Sequence, residues 1–204
     1  MFGRYTTGPS GLQFTTHPKG RQGSNPLIDK GDNMIDIPES IRRLKASTEA
    51  IRLLVQDISD EQAQWEPDPD SWPMQKVIEH LYNEERIDFR KHLREMFSDP
   101  PQPWGHFHQE DFISLESCRQ ALEGFLLERE ESIEWLEGLS LPDWNITSEA
   151  SFGLEEEKYV FSAGDVLASW VAHDYLHIRQ INELLYAWNE KQALPYSVQY
   201  AGGW

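Results

Sequence analysis

The stretch Trp170-Val171-Ala172-His173-Asp174-Tyr175-Leu176-His177-Ile178-Arg179-Gln180-Ile181 decides the fold, because its large apolar side chains recur at helical rather than alternating spacing. At about 100° per residue, positions 166, 170, 173, 177, 181, 184 and 188 fall on one narrow face. His173 and His177 therefore share that face with Val166, Trp170, Ile181, Leu184 and Trp188, and both imidazoles are expected to point into a core. Upstream, Ser162-Ala163-Gly164-Asp165 has the form of a capping box with Asp in the Glu position, so the helix should open there and reach about Trp188.

Three more segments carry the same period. Asp36-Ile37-Pro38-Glu39 is a start signal, an Asp cap followed by Pro in the first turn, and Ile41, Leu44, Ile51, Leu54, Val55 and Ile58 continue it to near Asp60. Val77, Ile78, Leu81, Phe89, Leu93 and Met96 mark a second helix that follows Pro73 and must stop at Pro100-Pro101. The third carries Leu115, Cys118, Leu122, Phe125, Leu126, Ile133 and Leu136 and ends around Gly138. Asn145 to Phe161, with β-prone residues around Gly153 and the run Glu155-Glu156-Glu157, predicts a short hairpin before the last helix. Four amphipathic helices of about 20 to 27 residues predict an all-α four-helix bundle. The long connections 99–113 and 139–161 predict crossovers in place of tight up-and-down turns.

Residues 1–33 hold six of the 13 Gly and no sustained apolar period, and read as a flexible arm or an expression leader. Residues 34–204 are expected to form the bundle with a C-terminal tail, Pro195 to Trp204, whose aromatics either dock or fray. The net charge of −17 over 204 residues would repel nucleic acid and anionic lipid and argues against both as partners. With 39% hydrophobic residues and 8 Trp the chain has ample means to bury a core. The single cysteine, Cys118, removes intramolecular disulfides and thiolate-rich zinc sites and suits a reducing cytoplasm. No uncharged apolar run approaches the roughly 18 residues of a spanning helix, so a cytoplasmic protein is expected.

Two histidines four residues apart stack on adjacent turns and can each direct a nitrogen toward one ion. A buried histidine can also be an ordinary hydrogen-bonded core residue, but each imidazole among Trp, Ile and Leu needs partners, and unsatisfied burial costs about 1–3 kcal/mol. A third ligand must come from another helix. His80 lies on the flank of the second apolar stripe and His92 nearer its centre, and spacing alone leaves both open. His106 and His108 sit in a long connection that should face solvent, and His17 belongs to the arm.

The order Trp65, Pro67, Ser71-Trp72, then Val77-Ile78-Glu79-His80-Leu81 with Glu84 one turn on, then Gly164-Asp165-Val166-Leu167, His173-Asp174-Tyr175-Leu176-His177 and Gln180-Ile181, resembles the DinB/YfiT-like superfamily over about residues 36 to 190. The resemblance implies a bundle of up-down-down-up type, often a homodimer, with a divalent metal held by His80, His173 and His177. Pro73 departs from the small capping residue common in the family, which touches the cap and not the site. Three neutral imidazoles would leave a coordination position open, and all-nitrogen ligation suits Zn, Ni, Fe or Co. The implied activity is that of a metal-dependent enzyme on a small-molecule substrate, a hydrolase or a thiol-dependent transferase using a low-molecular-weight thiol such as bacillithiol or mycothiol. The alternative is a non-catalytic, stress-associated bundle that only binds metal or ligand. Glu84 is a candidate catalytic base, an acceptor behind a ligand ring, or a solvated helix-surface residue. Asp174 is expected to cap, pair or face solvent, and Gln180 to hydrogen-bond a ligand ring. Arg86, Arg90, Lys91, Arg94 and Arg179 would either receive an anionic thiol or serve as ion-pair partners in an acidic bundle.

Overall fold

Asp36 opens the first helix as expected: its side chain accepts a 2.9 Å hydrogen bond from the Glu39 amide, and α1 runs Ile37–Val55. The computed structural model describes residues 35–102, 104, 111–151 and 158–202. The arm at 1–33, His17, His106, His108, Gly153, the Glu155-Glu156-Glu157 run and Trp204 lie outside the described residues.

The first helix stops short of Asp60, because Ser59 caps a separate short helix there, α2 (Asp60–Gln64). The expected second helix is two, α3 (Met74–Ile87) and α4 (Phe89–Met96), parted at Asp88 with φ −113° and ψ −98°. Backbone bonds cross the break, Asp88 N–H to Glu84 C=O at 3.0 Å and His92 N–H to Asp88 C=O at 2.8 Å, so the two halves form one bent rod. The third bundle helix, α5 (Cys118–Glu137), starts at the Ser117 cap and leaves Leu115 in the preceding segment. A two-stranded antiparallel hairpin follows, β1 (Thr147–Ser151) against β2 (Lys158–Ser162), with Thr147 opposite Ser162. The capping box forms at Ser162 and Asp165, and α6 runs Ala163–Ala193. It outlasts the expected end at Trp188 because no breaker intervenes before Leu194-Pro195. Tyr196 and Tyr200 in the tail are exposed, so these aromatics do not dock on the bundle.

Side-chain partners fix the helix directions. Ile41 and Leu44 share one core cluster with Val166, Leu167 and Trp170, whereas Ile51 and Val55 share the other with Ile181 and Leu184, so α1 and α6 are parallel. Gly124 lies against the Tyr82 ring, Arg90 pairs with Glu128, and Arg94 stacks over Trp135, so α3 and α4 run parallel to α5. A Cβ on Gly124 would meet the Tyr82 ring at 2.9 Å, which is why this close crossing takes glycine. His80 contacts His177 while Phe89, further along the rod, stacks on Trp170, so α6 is antiparallel to it. The result is an up-down-down-up four-helix bundle. No helix among the described residues is long and apolar enough to cross a membrane.

Between the two apolar clusters lies a buried polar layer centred on Arg129 of α5. Its guanidinium reaches the Leu44 carbonyl (3.3 Å) and Thr48 Oγ1 (3.2 Å) on α1, Glu85 (2.8 Å) on α3, and both oxygens of Asp174 (2.6 and 2.9 Å) on α6. Glu85 also accepts from Trp170 Nε1 at 3.0 Å, and Ser47 donates to Asp174. Burial opposes the Arg129 charge, but the Glu85 and Asp174 carboxylates outweigh it and raise the pKa above its ordinary value. Removing one member of such a network strands buried charges. Arg129→Met is expected to lower stability by about 3–5 kcal/mol in urea unfolding; a change below about 1 kcal/mol would show that the layer is not a structural clasp.

Candidate metal centre

His80 comes from α3, and His173 and His177 from successive turns of α6. Because the two rods are antiparallel and meet at this level, His80 Nε2 lies 3.2 Å from His173 Nε2, and His177 Nε2 lies 3.1 Å from the same atom. One nitrogen from each of the three falls within 4.8 Å of the others. The rings are half-buried. Trp72 stands edge-on to His80 at 5.4 Å and Phe89 lies 5.2 Å from His173, so aromatic walls flank the cluster.

All three imidazoles are neutral near pH 7. Burial, then His177 and His173, hold His80 well below its usual value; burial, His177 and Arg129 push His173 down to about 3. Burial also lowers His177, against the opposing pull of Gln180 and Asp174. Groups on the far side of two rings face their Nδ1 atoms, and one of them sets a tautomer. His177 Nδ1 donates to Gln180 Oε1 at 2.9 Å, which leaves its Nε2 lone pair facing the cluster, while His80 Nδ1 lies 3.6 Å from Glu84 Oε1, just beyond hydrogen-bond distance. Lone pairs at this spacing repel unless something bridges them, and a single N–H on His173 can serve only one neighbour. Nitrogens bound to a tetrahedral divalent ion at about 2.0–2.1 Å would stand about 3.3 Å apart, close to the separations found. The donor set and its geometry thus fit a divalent ion that accepts imidazole ligands.

Glu84 is buried, and burial followed by its hydrogen-bonded neighbour Asp88 pushes its carboxyl up to about 10. It sits beside the Nδ1 edge of His80, away from the converging Nε2 atoms. Gln180 makes the ring contact expected of it, and Asp174 is paired inside the core with Arg129. His92, the other candidate third histidine, is buried but turned elsewhere: its Nδ1 meets Glu95 at 2.9 Å and its ring stacks on Trp104 at 4.4 Å. Arg90 pairs with Glu128 and Glu131, and Arg179 with Glu183, as acidic-bundle ion pairs. Burial pushes the Cys118 thiol up to about 12, leaving it a packing residue. Asp88 and Arg129 were not anticipated, although each left a signal: Asp88 lies midway between Glu84 and His92 at four-residue spacing, and Arg129 interrupts the apolar stripe Leu122, Phe125, Leu136.

The family model of the DinB superfamily matches residues 43–181. No curated protein matches the chain. Among solved structures, YfiT from Bacillus subtilis, described as a probable metal-dependent hydrolase with an unusual four-helix bundle topology, aligns with a TM-score of 0.61 at 14% identity, covering 84% of this chain and 94% of that one. At that identity the likeness establishes a shared fold.

The buried carboxyl makes a pH prediction for the metal-free protein. Above about pH 7.5 the site histidines are almost wholly uncharged in folded and unfolded chains alike, so they contribute little slope. Glu84 keeps its proton in the folded chain up to about 10 and loses it near 4.5 in the unfolded one, so stability falls as pH rises between these values. From about pH 7.5 to 9 the melting temperature should decline, by no more than about 1.4 kcal/mol of stability per pH unit, and Glu84→Gln should flatten the decline. Equal slopes in the two proteins would show that Glu84 is ionised in the fold.

Proposed function

The chain belongs to the DinB superfamily, and on that premise we propose that it is a metal-dependent hydrolase acting on a small molecule at the centre formed by His80, His173 and His177. The observation that carries this reading is the convergence of Nε2 atoms, 3.1 and 3.2 Å apart, from imidazoles that burial keeps uncharged. A divalent ion there would supply Lewis acidity at an open coordination position and lower the pKa of water to about 7. The description of YfiT as a probable metal-dependent hydrolase supports the same direction.

The protein's own groups have distinct tasks. The imidazoles bind. Gln180 holds His177 in the tautomer that presents Nε2, and Glu84 stands 3.6 Å from His80 Nδ1, where an acceptor that closes on the ring would strengthen it as a ligand. The place of Glu84 beside Nδ1 supports this positioning role over that of a base acting directly at the open position. Trp72 and Phe89 keep water from two sides of the cluster. A second reading is a thiol-dependent transferase: three neutral ligands leave the ion its full charge, and a thiolate from a low-molecular-weight thiol is an anion that would take the open position. The non-catalytic alternative shares the ligand set and differs only in turnover.

Protein purified without a polyhistidine tag should carry one divalent ion per chain by elemental analysis. His80→Ala and His177→Ala should lose it and His92→Ala should keep it; the reverse pattern would overturn the ligand assignment. Gln180→Ala and Glu84→Gln should weaken metal affinity by about 10- to 100-fold without abolishing it. The loaded protein should hydrolyse members of an ester and amide panel above the His173→Ala background without added thiol. Turnover only with a thiol and an electrophile would select the transferase reading, and metal binding without either would select the non-catalytic one.

A further inference from the structure

We propose that Arg86 and Arg94, on the face of the α3–α4 rod that lies along α5, form a binding site for a small phosphate-bearing dianion, separate from the histidine centre. A cavity of about 340 Å³ opens there, lined among others by Arg86, Arg90, Lys91, Arg94 and Glu95. Four cations line it against Glu95, and even with the Glu128 and Glu131 carboxylates that meet Arg90 the balance is one positive charge in a chain of net charge −17. Arg86, Arg90 and Arg94 follow at four-residue spacing, so they stack on one face, and like charges so placed repel unless something neutralises them.

Two of these charges already have partners. Arg90 is met by Glu128 and Glu131 of α5, and Lys91 lies 3.8 Å from Glu95. Arg86 and Arg94 are different: neither pairs with a carboxylate among the described residues. Arg86 donates only to neutral acceptors, Asn83 Oδ1 at 3.3 Å and the Asp111 carbonyl, and its Nε is buried with no hydrogen-bond partner. Arg94 lies over the Trp135 ring, its guanidinium carbon 5.4 Å from the centroid, and Arg86 lies likewise over Tyr82 at 5.8 Å. A ring on one side of each guanidinium leaves N–H donors on its edges, all of those of Arg94 and those of Arg86 other than Nη2.

Two uncompensated guanidiniums call for two negative charges, which a phosphate monoester or a diphosphate carries and a single carboxylate does not. The planar fork of arginine matches phosphate oxygens in pairs. Eight residues separate Arg86 from Arg94 across the bend at Asp88, so the longer diphosphate suits the pair better than one phosphate. The overall negative field disfavours a long polyanion such as nucleic acid and leaves a small soluble ligand as the occupant. His80 lies about 120° around the rod from Arg86 and faces α6, so the two sites open on different seams.

Isothermal titration of the metal-free full chain with pyrophosphate at low ionic strength tests the proposal, with inorganic phosphate as the second probe. One pyrophosphate should bind per chain, more tightly than phosphate. Arg94→Gln should weaken it at least roughly tenfold and Arg94→Lys less, since lysine keeps the charge and loses the fork. Arg94 is exposed and holds no backbone, so its variants should fold; unchanged thermal melts verify this, and Arg86→Gln provides the second arm. Three results would overturn the site: no saturable heat up to about 10 mM pyrophosphate, wild-type affinity in Arg94→Gln, or binding lost in His177→Ala and kept in Arg94→Gln.

Discussion

The ion-paired clasp of Arg129 is the constraint on which the rest of the bundle depends. A guanidinium with no exposure to water must find its counter-charges inside the protein, and here they arrive from different helices, Glu85 on α3 and Asp174 on α6. Contacts to the Leu44 carbonyl and Thr48 add α1. Apolar packing above and below this layer tolerates small slips of one helix along another. A buried charge does not, because every ångström of slip leaves it unpaired.

That intolerance sets the histidine cluster. Asp174 lies in the turn between the paired histidines, and its bonds to Arg129 and Ser47 fix both the height and the rotation of α6. His173, the neighbouring residue, is thereby turned toward α3. Glu85 performs the same service on the other rod, holding Trp170 on one side while Glu84, next in sequence, faces His80. The clasp also acts through its charge: the field of Arg129 helps to keep His173 unprotonated, and so available as a ligand. Structural and chemical roles meet in adjacent residues, the buried pair on one face of each helix and the site group on the next.

The bent rod shows how local pattern and tertiary contact divide the work. Val77, Ile78, Leu81, Phe89, Leu93 and Met96 are all buried, as their spacing requires. The same spacing placed His92 nearer the centre of the stripe than His80, and His92 is indeed the more deeply buried of the two, stacked on Trp104 and paired with Glu95. Depth within a stripe reports burial and not which neighbouring helix a side chain meets. The break at Asp88 was equally hidden, since neither proline nor glycine marks it.

By itself the sequence determined the four rods of the bundle without the break in the second, their caps at Asp36 and Ser162, the hairpin before α6, and the pairing of His173 with His177 on one inward face. These follow from interactions within a few residues, where spacing translates directly into geometry. Membership of the family was also legible, in the order of short motifs along the chain. Only the tertiary structure decided that His80 joins the pair, that Glu84 stands behind its ring, and that Arg129 reaches all the other bundle helices. The contacts of His80 with the pair and of Arg129 with the other helices join residues some 44 to 93 positions apart in the chain. They depend on the antiparallel docking of α6 against the bent α3–α4 rod, a long-range arrangement that no local period encodes.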